Sequence, residues 1–185
     1  MAAVTTSPLG PTLETERLIL RPPAAADFEA WAAFAGDEES ARYLGGAKLR
    51  SVAWRSMAAM TGCWTLRGFG MFCVFEKATG QWVGRLGPWM PDGWPGTEVG
   101  WGIDRAHWGR GFATEGATAA IDWAFEACGW TEVIHCIDPG NTNSQAVARR
   151  LGSTLLRQAD LPAPLNDTVD VWGQSRDQWR ARRKA

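Results

Sequence analysis

The residues with the clearest capacity for chemistry lie between Thr97 and Ala127, in the run TEVGWGIDRAHWGRGFATEGATAAIDWAFEA. Gly109 and Gly111 flank Arg110 in a turn. A helix opens directly after it, with Ala113, Ala117, Ala120, Ile121, Ala124, Phe125 and Cys128 on one continuous apolar face. The first N–H groups of a helix have no carbonyl partner inside it, and the helix dipole adds positive potential at that end. Glycines let a phosphate approach the main chain without a Cβ in the way. Gly109, Arg110, Gly111, Phe112, Ala113 and Thr114 therefore read as a pyrophosphate cradle. Metal chemistry has little to work with. The four cysteines, Cys63, Cys73, Cys128 and Cys136, form no CxxC pair and have no clustered histidine beside them, a pattern that speaks against zinc and against a disulfide framework.

The cradle needs elements to hold it. Val99, Trp101 and Ile103 alternate in a strand that leads into the turn. Upstream, Thr15 to Arg21 has strand character, with Leu18 and Leu20 on one face, until Pro22-Pro23 stops it. A first helix is expected from about Ala24 to Ala35, with Phe28, Trp31, Ala32 and Ala35 as its buried stripe. A second starts near Ser51, turns Ala53, Met57 and Met60 inward, and is expected to end at Gly62. Phe69 to Phe75 and Gln81 to Trp89 form a hairpin around Ala78-Thr79-Gly80. Gly129 ends the central helix and Thr131 to Asp138 is another strand, so strand, helix and strand make a right-handed crossover with the two strands parallel. A short helix from Asn143 to Leu151 follows, with Thr142 and Gln145 at capping-box spacing and Gly152 closing it. Thr168 to Ser175 is the last strand.

These elements imply one α/β domain over residues 13–180, with a flexible segment at 1–12 and a basic tail at 181–185. A net charge of −1 supplies no basic field to attract nucleic acid or an anionic membrane. No apolar run approaches the length of a membrane span, and the first residues lack the pattern of a signal peptide, so a soluble cytoplasmic protein is expected. Twelve tryptophans against one tyrosine is the odd feature of the composition. Most suit core packing, a few a substrate pocket, which Trp31, Trp54, Trp89, Trp94 and Trp172 are candidates to line.

Trp108-Gly109-Arg110-Gly111-Phe112-Ala113-Thr114-Glu115 resembles the acyl-CoA signature of the GCN5-related N-acetyltransferases, the GNAT superfamily. Within it the chain is similar to the ribosomal-protein N-terminal acetyltransferases, the RimJ/RimL-like branch. Thr15-Glu16-Arg17-Leu18-Ile19-Leu20-Arg21-Pro22 is similar to that branch's opening segment, and Asn141-Thr142-Asn143-Ser144 with Leu151-Gly152 to its later asparagine–serine segment. The three motifs occur in the right order over roughly residues 13–180. The resemblance implies a single GNAT-like domain: a mixed, mostly antiparallel sheet with a splayed parallel pair at the βαβ crossover, and helices on both faces. It implies acetyl-CoA as co-substrate, no metal, and a small-molecule or peptide amine as acceptor. A homodimer is a habit of the family.

The same resemblance distributes roles. Trp101 and Ile103 are implied to pair with pantetheine through main-chain atoms, on a strand that a bulge splays from its neighbour, with one strand N–H stabilising the oxyanion. Asn141 is implied to bind pantetheine, and Trp108 stands where the general signature has a basic residue, which leaves Arg110 to meet the phosphates. Glu98 is the implied base: an alkyl amine is protonated at neutral pH and cannot attack until it loses a proton. As a bare residue Glu98 reads equally as a surface carboxylate that attracts a cation. His135 on the next strand is a competing base, although a lone strand histidine is more often packed and satisfied. Ser144 is the candidate acid for the departing thiolate, or a first-turn serine bonding its own helix; the tyrosine that many relatives carry in that helix is missing, and Tyr43 is far away in sequence. Two other functions compete. A dinucleotide enzyme is suggested by Gly109-x-Gly111 and Asp138, but Thr114 replaces the third small residue and there is one βαβ unit. A non-catalytic acyl-CoA-binding regulator of the same fold is the other; Glu98→Gln with unchanged coenzyme affinity and unchanged or absent turnover favours it, a sharp loss of turnover the enzyme.

Overall fold

The computed structural model of the chain describes residues 9–183. Its elements in chain order are β1 (Leu13–Glu14), β2 (Leu18–Arg21), α1 (Phe28–Gly36), α2 (Glu38–Ala41), α3 (Arg50–Arg67), β3 (Phe72–Glu76), β4 (Trp82–Trp89), β5 (Glu98–Ile103), α4 (Phe112–Ala127), β6 (Glu132–Ile137), α5 (Thr142–Leu151), β7 (Thr154–Asp160), β8 (Thr168–Ser175) and α6 (Arg176–Arg182). The strands form one sheet in the order β1-β2-β3-β4-β5-β6-β8-β7. Every junction is antiparallel except that of β5 with β6, as the crossover requires.

Helices cover both faces. α4 presents Phe112, Ala117, Ala120, Ile121, Ala124 and Phe125 to Leu18, Leu20, Leu86 and Val99 of the sheet. Gly116 lets it settle closely, since a Cβ there would lie 2.5 Å from Leu86 Cδ2. On the opposite face α1 and α3 bury Trp31, Ala35, Ala53, Met57 and Met60 over Met71 and Cys73. The entry to α1 is fixed by a buried two-pronged ion pair, Arg21 to Asp27, both contacts 2.7 Å, with the Arg21 guanidinium over the Phe75 ring.

Several expectations change in detail. Of the strand expected over Thr15–Arg21 only Leu18–Arg21 is strand; residues 15–17 form the turn that joins it to β1, in which Thr15 bonds Leu18 in both directions. α3 runs through Gly62 and ends at Gly68, whose φ of +73° makes it the left-handed cap; Trp64, one turn past Met60, keeps the helix going by packing against Phe72 and Trp123. The cap of α5 is Asn141, whose side chain accepts from the Ser144 N–H, while Gln145 turns to the Pro139 carbonyl and no Thr142–Gln145 box forms. α6 absorbs part of the basic tail: Ser175 and Gln178 make the capping box, and buried Trp179 donates to Asp122 of α4 at 2.7 Å. Of the segment expected to be flexible, residues 1–8 lie outside the described residues, as do 184 and 185 of the tail.

Candidate active site

After β5 the chain makes a single tight turn, Arg105–His107, and reaches the glycine loop. Gly109 and Gly111 both take positive φ, +73° and +80°, where a side chain would be strained. Gly111 caps α4 without a side-chain bond, and the first helical bond runs from Glu115 N–H to the Gly111 carbonyl. The N–H groups of Phe112, Ala113 and Thr114 therefore emerge at the helix start without a partner inside it. A Cβ on Gly109 would meet nothing within 4 Å, so the outer side of the loop is open, while the Phe112 ring is buried and anchors the helix end. Main chain of this shape fits a diphosphate. Arg110 is engaged elsewhere: it ion-pairs with Glu76 and stacks 4.5 Å from the Phe112 ring centre. The guanidinium that lies against the loop is Arg17, which donates to the Arg110 carbonyl at 2.9 Å and to Glu115 at 2.7 Å. Trp108 is half-exposed and its indole donates to the Ile103 carbonyl at 2.7 Å.

Below the loop the sheet opens. β5 and β6 share a single register pair, Glu98 with Ile134, and the Ile134 N–H bonds the Thr97 carbonyl at 2.9 Å; beyond that point each strand pairs only with its outer neighbour. The bulge expected in β5 is not there. β5 keeps unbroken register with β4 over six pairs. Gly100 and Gly102 serve packing instead, since Cβ atoms on them would lie 3.1 Å from the Met71 methyl and 2.9 Å from the Phe34 ring. Main-chain groups of alternate residues point to the same side of a strand, so those of Val99, Trp101 and Ile103 face the gap. Side chains hold the gap apart at its apex: the Val99 carbonyl is taken by His135 Nδ1 at 2.7 Å, and the Cys136 N–H by the Glu98 carboxylate at 3.1 Å.

Glu98 sits at that apex, 6% exposed, and its second oxygen accepts the Trp94 indole N–H. Burial pushes its pKa up to about 7, against the opposing pull of the Cys136 and Trp94 donors and of the Arg85 charge. A carboxyl poised near neutrality in this way can take a proton from an amine. His135 cannot compete. It is buried, its Nε2 meets Ser153 Oγ at 3.0 Å while Gln174 donates to that same oxygen at 2.9 Å, and burial drives its pKa down to about 4. Because the Val99 carbonyl can only accept, the proton is on Nδ1, and the ring is a neutral strut. On the α5 side of the gap, the Trp101 indole donates to Ser144 Oγ at 3.2 Å, which leaves the serine proton free to be donated. Tyr43, from the connection between α2 and α3, reaches across to donate to the Gly140 carbonyl at 3.2 Å.

The acetyltransferase (GNAT) domain model matches residues 17–154, well over half of the chain. The chain belongs to the GNAT acetyltransferase family. An acetyltransferase from Agrobacterium tumefaciens strain C58 is similar at 34% identity, with a TM-score of 0.81 over 90% of this chain and 95% of that one. Likeness of fold extends to the ribosomal-protein-S5-alanine acetyltransferase of Vibrio fischeri, at 17% identity and a TM-score of 0.71 over 91% and 98%. It extends also to Mycobacterium smegmatis RimJ, solved in complex with CoA-disulfide, at 16% identity and a TM-score of 0.67 over 87% and 83%.

In this GNAT chain the structure gathers Glu98, Trp101, Ile103, Asn141 and Ser144 around the gap and Trp108 to Thr114 at its open end. Asn141 spends its side-chain oxygen on the Ser144 N–H. Of the five tryptophans expected at an acceptor site, Trp89 and Trp94 stand edge to face, 6.2 Å apart, beside Glu98. Trp31 is core under α1, Trp54 is exposed against Phe28, and Trp172 is buried on the other face with Ile137 and Ala148. Sequence reading missed Arg17 and Tyr43 as site neighbours, and Trp94 as the partner of the carboxyl. Arg17 had a signal, since it stands in one of the three motifs and its bonding partner Glu115 in another. Tyr43 had none: 97 residues separate it from Gly140. Among the described residues no cluster of three metal-ligating side chains exists and no helix is long and apolar enough to cross a membrane.

Proposed function

We propose that the chain moves an acetyl group from acetyl-CoA to a primary amine by direct attack in a ternary complex. The observation that carries this is Glu98: a buried carboxyl with a pKa near neutrality, at the apex of two parallel strands that share one register pair and part toward the glycine loop. When bound, acetyl-CoA supplies an activated carbonyl and a thiol leaving group of ordinary pKa near 8.5. The chain's own residues do the rest. N–H groups of the loop from Gly109 to Thr114 hold the diphosphate, with Arg17 fixing the loop's shape rather than Arg110 adding charge. Main-chain groups of Trp101 and Ile103 align the acyl-bearing arm along β5. Glu98 takes the proton from the incoming amine, directly or through one water, and Ser144 gives its hydroxyl proton toward the departing sulfur. The acceptor enters on the α1–α3 face, where loops meet: Pro162 lies against Gly93, Arg157 bonds the Pro95 carbonyl at 2.9 Å, and Leu165 lies against Gly45. Fold neighbours named for acetylating ribosomal proteins make peptide N-termini a reasonable first class of acceptor to test.

The test is release of free thiol from acetyl-CoA over a panel of alanine- and serine-initiated peptides and small amines, with calorimetric titration of CoA alongside. Glu98→Gln is expected to lower turnover by about 100-fold or more with CoA affinity unchanged. Turnover that survives the substitution would remove Glu98 as base. CoA binding without thiol release for any acceptor would leave the non-catalytic binder as the better reading.

A further inference from the structure

The segment from Asp37 to Gly46, between α1 and α3, has ties to both sides of the opened strand pair, and they are unequal. On the β5 side it is held at several points. Leu44 packs over Gly102, where a Cβ would lie 3.2 Å from its methyl; Ser40 Oγ accepts the Arg105 N–H at 3.1 Å; Asp37 ion-pairs with Arg105 at 3.2 Å. The segment is also braced internally, because Lys48 donates to the Leu44 and Gly46 carbonyls at 2.7 and 3.0 Å. On the β6 side it has one hydrogen bond, from the Tyr43 hydroxyl to the Gly140 carbonyl at 3.2 Å, made by a residue 38% exposed. Gly140 immediately precedes Asn141, and its own N–H is pinned by Asp138 at 2.7 Å, so the carbonyl Tyr43 meets is held in place. A band anchored at the exit of β5 and touching the exit of β6 bridges the ends of the opened strand pair.

We infer that Tyr43 is the latch of a strap over the coenzyme channel: residues 37–46 stay fixed to β5, and the phenol closes on the β6–α5 turn to hold the seated pantetheine arm. The inference rests on the coenzyme site proposed above and adds a residue to it. An exposed neutral hydrogen bond of this length is weak enough to break on each binding cycle and strong enough to slow escape. Tyr43 is therefore a positioning residue, and its effect belongs to the lifetime of the coenzyme complex rather than to proton transfer.

The sequence contains one tyrosine, so the full chain grown with 3-fluorotyrosine gives a single fluorine resonance that reports on the latch. Saturating CoA is expected to shift that resonance. Tyr43→Phe is expected to speed CoA dissociation, followed by tryptophan fluorescence in stopped flow, by about fivefold, the worth of one such bond. The pH dependence of turnover should be unmoved, because the phenol transfers no proton. A resonance blind to CoA that calorimetry shows to be bound, or an unchanged dissociation rate in Tyr43→Phe, overturns the latch and leaves the coenzyme site standing. A failure of calorimetry to detect CoA at all removes both readings together.

Discussion

Glu98 is costly to keep where it is, and the cost has a pH signature. Its folded-state pKa of about 7 lies above the ordinary 4.5. Below pH 4.5 the carboxyl is protonated in folded and unfolded chains alike and costs nothing. Between 4.5 and 7 the unfolded chain ionises first and stability drains away; above 7 the folded state carries the whole penalty, about 3 kcal/mol. Glu98→Gln, inactive by the proposal, should therefore melt higher than the native chain at pH 8 and alike at pH 4.5. Calorimetric melts at the two pH values check this. On the proposal that Glu98 is the base, the same pKa sets activity, because the base works only when ionised, so kcat/KM should rise with pH through about 7. Trp94 tunes that rise. Its indole N–H favours the charged carboxylate, so Trp94→Phe should move the acidic limb up by about one unit. Activity would then fall about fivefold at pH 7 and be nearly restored at pH 9, whereas a merely structural defect would lower it at every pH. In the sequence, Glu98 was visible as a carboxylate at a strand entrance. Its burial was not, since that depends on Trp94 folding back four residues and on a Cys136 N–H from another strand.

Glu115 does for an element what Trp94 does for a residue. It stands in the first turn of α4, where negative charge suits the dipole, and it accepts from the Thr15 hydroxyl, the Arg17 N–H at 2.9 Å and Arg17 Nε at 2.7 Å. Burial works to raise its pKa, but these donors outweigh burial and hold it below the ordinary range. The staple thus contributes stability above the usual carboxylate pKa and loses it as the pH falls through the depressed value. Glu115→Ala should cost about 1–3 kcal/mol at pH 7, less in acid. It should also weaken CoA binding by freeing Arg17 from the Arg110 carbonyl; denaturant melts and calorimetry measure the two effects. Elements with a buried face were legible in advance: α4 by its apolar stripe, β5 and β6 by their β-branched and aromatic alternation. β7 was not, because a sheet-edge strand with Leu155 and Leu156 both exposed carries no alternation. α3 was cut short at Gly62 because a glycine that merely lies inside a helix looks, in sequence, like the one that ends it. α6 did offer a sign, the Ser175–Gln178 spacing, but its charges resembled a solvated tail.

At the scale of the molecule, one sheet carries two helical layers, and its weakest seam is the one proposed to hold the coenzyme. β4 holds β5 and β8 holds β6 through full ladders, so the gap between β5 and β6 does not threaten the rest of the sheet; it leaves strand edges facing each other with main-chain groups in hand. A ligand that bonds those edges replaces the missing ladder, and the free energy of its binding adds to that of folding. For CoA at about 100 times its dissociation constant the gain is about 2.7 kcal/mol. A domain of this size converts that into a rise in Tm of about 5–11 °C. The rise should carry a spatial pattern. Amide exchange should slow at residues 99–103 on β5, along the loop at 109–115 and across 135–144, the segments that the ligand bridges. It should be unchanged in β1 and α6, which touch neither edge of the gap. Exchange measured with and without CoA separates this from binding elsewhere: protection concentrated on the carboxy-terminal helix, with the β5–β6 amides still exchanging freely, would mean that the seam is a structural accident and that the coenzyme sits on another surface.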